Sequence, residues 1–271
     1  MAPLRLTPSL REKVWGKQRL EPWFPDSERP IGEVWFLADR KLPLLVKLLF
    51  TSEKLSVQVH PDDGEDGPCG KTEMWHILET GPGAAVALGF RRPITREQLL
   101  EATRTGEIEQ LLNWMEVRPG ETYFTPAHTV HAIGPGIVLC EIQQNSDVTY
   151  RLWDYGRPRP LHVDQAARIA GLGVHPGAAP PVPLAEGREE LVRCRHFNTE
   201  LVRFPAGVAH TPPPETCQIW VVLEGQGDIA GEPYRRGEAW LLPDEGGQPA
   251  IRAQIPSRFL RTWAPGPIAR G

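Results

Sequence analysis

The chain has little of what marks several protein classes. Only four of its 271 residues are cysteine, at positions 69, 140, 194 and 217. None forms a C-x-x-C pair, so neither a disulfide scaffold nor a cysteine zinc site is indicated, and reduced thiols in a cytoplasmic protein are expected. An excess of one charge is also missing: 30 Lys and Arg against 34 Asp and Glu give a net charge of −4. Binding nucleic acid by counterion release needs a basic surface, so nucleic acid is not an expected partner. The longest apolar run, LPLLVKLLF at 42–50, is broken by Lys47 and is far too short to span a bilayer. The first residues, MAPLRLTPSLREKVWG, contain no apolar core of signal-peptide type, so neither a membrane partner nor a secretory leader is expected. No G-x-x-x-x-G-K-[ST] or G-x-G-x-x-G loop indicates a nucleotide site.

Proline and glycine are abundant, at 29 and 26 residues. An interior proline costs a helix about 3 kcal/mol, so an all-helical fold is excluded. Nine tryptophans and 40% hydrophobic residues speak against disorder. The pattern fits a mainly all-β protein of short strands joined by Pro/Gly turns. Strand-like runs fall at 44–60, 71–78, 84–90, 121–125, 129–133 and 137–143, and again at 192–204, 217–224, 238–242 and 257–263. Between Ile94 and Val117, apolar residues recur at helical spacing after Thr95, a natural N-cap; two short helices hinged near Gly106 are expected. Residues 173–189 read as a Pro/Gly-rich linker.

The text repeats itself. EMWHILETGPG at 73–83 is similar to QIWVVLEGQGD at 218–228, and RPGETYFTPAHTVHAI at 118–133 to RRGEAWLLPDEGGQPAI at 235–251. Both copies carry G-x5-P, at Gly120/Pro126 and Gly237/Pro243. Two copies of one β unit follow. Only the first keeps histidines at these places, so chemistry is expected there.

In a strand, residues i and i+2 share a face. Gln58 and His60 therefore project together, opposite Val57 and Val59, and Lys71, Glu73 and Trp75 share a face while His76 takes the packing side. His131 lies on a third strand, just after the G-x5-P turn. Two imidazoles, a carboxylate and an amide oxygen form a borderline N2O2 set suited to zinc, and manganese, iron or cobalt also fit it. Asp62 and Asp63, after His60-Pro61, read as turn formers.

A histidine with its strand-mates, a glutamate before a turn glycine, then G-x5-P-x4-H is the ligand order of the cupin barrel, which the chain resembles. Cupins usually have glycine two residues after that proline. Here the residue is His128, open as a rival ligand, a support for a ligand, or a surface group. A denser resemblance covers about residues 12–170. PIGEVW, PLLVKLLFTSEKLSVQVHPDD, GKTEMWHIL and TPAHTVHAIGPGIVLCEIQQNSDVTYRLWDYGR are similar to the type I phosphomannose isomerase family. The resemblance implies two cupin-type barrels: a metal-binding catalytic domain at 1–172 and, past the linker at 173–189, a metal-free domain at 190–271. The second is expected to cover the first and shield its edge strands. It implies one Zn2+ per chain on Gln58, His60, Glu73 and His131, and catalytic roles for Lys71, Glu141, Asp147 and Arg151. Ser56, Lys71 and Arg151 would touch a small-molecule sugar phosphate, with Ser146 completing S-D-x3-R. The implied reaction interconverts mannose 6-phosphate and fructose 6-phosphate through a cis-enediol. The base stays open, and a monomer or homodimer is expected. Two alternatives stay in play: a metal cupin of another class, such as an iron dioxygenase, and a non-catalytic sugar-phosphate-binding protein.

Overall fold

The computed structural model describes residues 2–213, 215, 217–242 and 249–266. Four antiparallel sheets stack in layers, as the proline, glycine and strand periodicity predict. In the six-stranded sheet the order is Thr7–Lys17, Ile31–Leu37, Leu44–Phe50, Ile137–Gln144, Glu73–Thr80 and Thr122–Thr125. Opposite it lies a five-stranded sheet of Tyr150–Trp153, Val57–Val59, His131–Ile133, Ala85–Phe90 and Leu112–Glu116. Leu49, Trp75, Val86, Leu88, Ile133 and Leu139 fill the space between them. On the outer face of the five-stranded sheet, Val57 and Val59 pack beneath the helices with Leu99, Ile108 and Ala166.

A seven-stranded sheet forms the next layer: Leu4–Arg5, Ala239–Leu242, Gln218–Glu224, Ser257–Trp263, Asn198–Phe204, Arg188–Arg193 and Val182–Ala185. The outermost sheet contains Ala209–His210, Ile251–Ala253, Gln226–Ile229 and Glu232–Arg235, and Phe204, Trp220, Trp240 and Phe259 fill that barrel. Strand alternation explains the layering. Val46, Leu48, Met74 and Ile142 point away from the first barrel's interior and meet Leu201, Ile219 and Leu260 of the seven-stranded sheet in one apolar layer. Each such side chain taken out of water contributes about 1.5–3 kcal/mol. The second barrel thus covers a face of the first, as expected.

Other expectations need correction. Thr95 does cap a helix, Arg96–Thr105, through a capping box with Gln98, and Gly106 ends it at φ 83°. The second helix is only Ile108–Leu111. Residues Leu112–Glu116, expected to be helical, form a strand on Ala85–Phe90, because the edge of that sheet offers backbone partners a helix would waste. The stretch 173–189 is tied down at both ends. Phe90 N donates to Gly173 O (3.1 Å), Ala179 N to Thr122 O (2.8 Å), and Val182–Ala185 pairs with Arg188–Arg193. Leu4–Arg5 joins the second barrel's sheet, pairing with Trp240 and Leu241. The repeat's turn glycines match, with φ 92° at Gly120 and 82° at Gly237; Pro243 lies outside the described residues. Among the described residues, no helix is long and apolar enough to cross a membrane.

Candidate metal centre and reaction cavity

The sheet registers assemble the site. His131 stands opposite Gln58 on the neighbouring strand. Glu73 begins the strand that faces them from the six-stranded sheet. The ligand atoms of His60, Glu73 and His131 all lie within 4.8 Å of one another, and all three side chains are buried. His60 Nε2 is 3.6 Å, and His131 Nε2 3.5 Å, from the Glu73 carboxylate.

Backbone carbonyls orient both imidazoles. His60 Nδ1–H donates to Val148 O (2.9 Å) and His131 Nδ1–H to Thr129 O (2.8 Å). Each ring therefore turns a bare Nε2 lone pair toward Glu73, the tautomer a metal ligand needs. Gln58 turns its amide nitrogen to His131 Nε2 (3.2 Å), and its oxygen accepts from Ser56 Oγ (3.0 Å). A half-turn of the amide would bring that oxygen to the centre. The Lys71 ammonium already satisfies two of the donors, at 2.9 Å from His60 Nε2 and hydrogen-bonded to Glu73. A positive charge is what this donor set calls for, and two neutral imidazoles with a carboxylate fit a borderline divalent cation.

Electrostatics follow from burial. Burial pushes Glu73 up to about 7, although Lys71 pulls the other way. Burial, then Lys71, takes His131 down to about 4 and holds His60 well below its usual value. For Glu141 burial is outweighed by Lys47 and Lys71, which hold the carboxyl below the usual range. Lys47 is likewise held above its usual value, the attraction of Glu141, Glu33 and Glu73 overcoming burial.

Above this floor opens a cavity of about 300 Å³ that also takes in Ser56, Glu141, Asp147 and Arg151. The structure thus brings together nine of the predicted residues: Ser56, Gln58, His60, Lys71, Glu73, His131, Glu141, Asp147 and Arg151. Ser146 does not line the cavity, and its hydroxyl accepts from Val148 N (3.5 Å). Arg151 forms no ion pair among the described residues, because Asp154 is taken by Arg159 (2.6 Å) and Arg157 (3.3 Å). Its Nε is buried without a partner, and burial and neighbouring Arg159 disfavour its charge. An arginine so placed is ready for an anion.

His128 stays outside. It sits at φ 73°, the left-handed region that favours glycine, and its Nε2 pairs with Glu65 at 2.7 Å. Its place as a rival ligand is not supported. His76 packs on the far side of its strand, bonded to Thr122 Oγ1 (2.9 Å), and burial lowers it to about 3. Sequence reasoning missed Lys47, whose Nζ is 3.1 Å from Glu141. It also missed Lys13 on Glu33 (3.1 Å) at the cavity wall, and Arg159 and His162. The lysine that interrupts 42–50 was the available signal.

Against models of known protein families the chain has no match. Against curated proteins it is 35% identical over 301 residues to mannose-6-phosphate isomerase ManA of Bacillus subtilis (strain 168), covering 89% of this chain and 93% of that one. The chain belongs to the mannose-6-phosphate isomerase family. Its fold agrees: the crystal structure of the mannose 6-phosphate isomerase from Bacillus subtilis superposes with a TM-score of 0.87 at 26% identity, over 97% of this chain and all of that one. A zinc-bound mannose 6-phosphate isomerase, at 16% identity, shares the fold with a TM-score of 0.78 over 98% of this chain and all of that one.

Proposed function

We propose that the chain interconverts mannose 6-phosphate and fructose 6-phosphate, with one zinc held by His60, Glu73, His131 and the turned amide of Gln58. Membership of the isomerase family supports the reaction. The observation that carries the site is the buried His60–Glu73–His131 triangle, with both Nε2 lone pairs facing the carboxylate at the floor of a cavity. The zinc-bound neighbour supports the metal. Bound zinc would supply an electrophile for the oxyanion that develops as the proton moves between C1 and C2 through a cis-enediol.

The protein's own groups do the rest. Lys71 and Glu141, 3.8 Å apart, hold and pass the proton at the cavity floor. Lys47 keeps Glu141 ionised. Arg151, with no carboxylate of its own, takes the substrate's anionic oxygen, and Asp147 and Ser56 bind hydroxyls. Arg151 and Arg159 at the cavity wall supply fixed cations for the phosphate of a phosphorylated sugar. We read 1–172 as the catalytic domain and 190–271 as a metal-free domain, supported by the apolar layer between them. The free thiols of Cys69, Cys140 and Cys194 fit a cytoplasmic location, and the substrate is a small molecule acted on by a monomer or homodimer.

The test is a coupled assay for fructose 6-phosphate formed from mannose 6-phosphate, before and after chelation and zinc re-addition. Turnover should vanish with the metal and return with it. Zinc-loaded, folded protein that binds the sugar phosphate without turnover would overturn the enzyme reading in favour of a binding protein.

A further inference from the structure

The loop that joins His60 to Lys71 is tied to the second barrel. At its neck, Lys71 N donates to Pro61 O (3.0 Å) and Gly70 N to Asp63 Oδ1 (2.7 Å). The two ends are so close that a Cβ on Gly70 would come within 2.5 Å of the Asp62 carbonyl carbon. The neck thus couples Asp62 to the residue next to Lys71 through backbone contact and two hydrogen bonds, and Asp62 stands two residues from His60.

Arg195 of the second barrel grips Asp62. Its Nη2 lies 2.5 and 2.6 Å from the two carboxylate oxygens, while its Nε donates to His196 Nε2 (2.7 Å). That bond leaves the His196 proton on Nδ1, which faces Asp63 Oδ2 at 3.8 Å. Arg195 and His196 ride on a turn closed by Cys194 and Phe197. Cys194 N bonds Phe197 O (3.0 Å), and Phe197 is fully buried in the apolar layer between the barrels, edge-on to Phe124 at 6.4 Å.

We propose that Arg195, through Asp62, is a positioning residue for the metal centre: the second barrel holds the 61–70 loop and so fixes His60 and Lys71 relative to Glu73. This rests on the roles given above to His60 and Lys71. It gives the metal-free barrel a part in the chemistry beyond covering a face. The contact lies at the surface, with the Arg195 side chain 62% exposed, so its effect is a tuning of geometry rather than of folding.

The experiment uses the full-length, zinc-loaded protein. Zinc release to a chromophoric chelator and steady-state kinetics with mannose 6-phosphate are measured for wild type, Arg195→Ala, Arg195→Lys, Asp62→Asn and the Arg195→Ala/Asp62→Asn double variant. At low salt, Arg195→Ala and Asp62→Asn should each release zinc about 3- to 5-fold faster. Each should lose kcat by a similar factor while KM changes less, and the double variant should be no worse than either single one. Arg195→Lys should recover part of the loss. Wild type at about 1 M salt should approach the variants, whose own rates should change little. The melting temperature should stay within about 3 °C of wild type. Single variants that match wild type in zinc release and kcat would overturn the proposal. So would losses that add in the double variant, or an equal effect of salt on wild type and Arg195→Ala. Wild type that neither retains zinc nor isomerises would instead overturn the reading of His60 and Lys71.

Discussion

The two barrels place the same strands around different chemistry. In the first, Lys47, Glu141 and Trp75 stand side by side across three strands. In the second, the same three places hold Glu200, Arg261 and Trp220. The charges are exchanged. Two residues before each tryptophan, Glu73 in the first barrel becomes Gln218 in the second. The facing pair Gln58–His131 becomes His210–Ile251. Arg261, 1% exposed, donates to Gln218 Oε1 (2.7 Å) and Glu200 (3.2 Å) and lies over the Trp263 ring at 4.3 Å. A guanidinium built into the chain thus supplies, in the second barrel, the positive charge that the first barrel's donors call for. Burying a charge is tolerated only when it is paired and hydrogen-bonded. The second barrel meets that condition by itself, with Arg188 also on Glu200 at 2.8 Å. The first barrel gathers two carboxylates beneath its cavity, Glu73 and Glu141, with two lone-pair imidazoles beside Glu73.

The largest expected effect divides the barrels by metal. His60→Ala should lower zinc affinity by more than the roughly 10- to 100-fold typical of a group that only supports a ligand, and abolish turnover. His210→Ala, in the second barrel's corresponding sheet, should leave zinc content and kcat at wild-type values. Metal analysis after dialysis, with the coupled assay, reads both; loss of zinc from His210→Ala would break the comparison. Next in size is Arg261→Met. Removing one partner from a buried ion pair costs about 3–5 kcal/mol, and the expected value is at the low end because Arg188 still holds Glu200. Urea unfolding measures it, and zinc bound per folded molecule should not change.

The third effect is that of pH, which should act through the first barrel. A folded-state value of about 7 for Glu73 means that zinc must displace its proton below neutrality. Zinc affinity should therefore rise with pH up to about 7 and flatten above, with up to one proton released per zinc in the acid range. Titration calorimetry in buffers of different ionisation enthalpy counts that proton. His131 is already neutral above about 4 and adds little to it. For stability of the zinc-free protein the signs oppose. His131, depressed to about 4, contributes stability present above the unfolded value near 6.5 and lost as pH falls toward 4. Glu73, raised to about 7, contributes stability present below its unfolded value near 4.3 and lost as pH rises through 7. Zinc should cancel the second trend, because it binds the ionised carboxylate.

Much of this was legible in the chain, and the reasons for the rest are physical. Alternation in Q58-V-H60 and K71-T-E73 is local, so the side each residue faces could be read directly, and the valines do pack outward. Lys47 and Glu141 are 94 positions apart, and only the register of two antiparallel strands makes them partners. Arg261 was equally invisible: an arginine in a strand reads as a surface charge until Glu200 and Gln218 close on it. Leu112–Glu116 was misread because Leu111, Leu112 and Met115 satisfy helical spacing over so short a stretch, and the pairing with Ala85–Phe90 decided it.

The smallest expected effect concerns the departure at His128. The chain places an imidazole where φ is 73°, a conformation that costs a residue other than glycine about 1–3 kcal/mol. In return it gains a hydrogen bond to Glu65 in which both side chains are more than a third exposed, worth about 1 kcal/mol at most. His128→Gly relieves the strain, loses the hydrogen bond, and adds freedom to the unfolded chain that opposes folding by about 0.4–1 kcal/mol. These contributions nearly cancel, so stability should change by no more than about 1 kcal/mol by urea unfolding. Zinc content and turnover should not move, since the side chain points to Glu65 and not to the metal centre. A loss of zinc in His128→Gly would instead make His128 a ligand, and the boundary drawn here between the metal centre and its outer turn would fall.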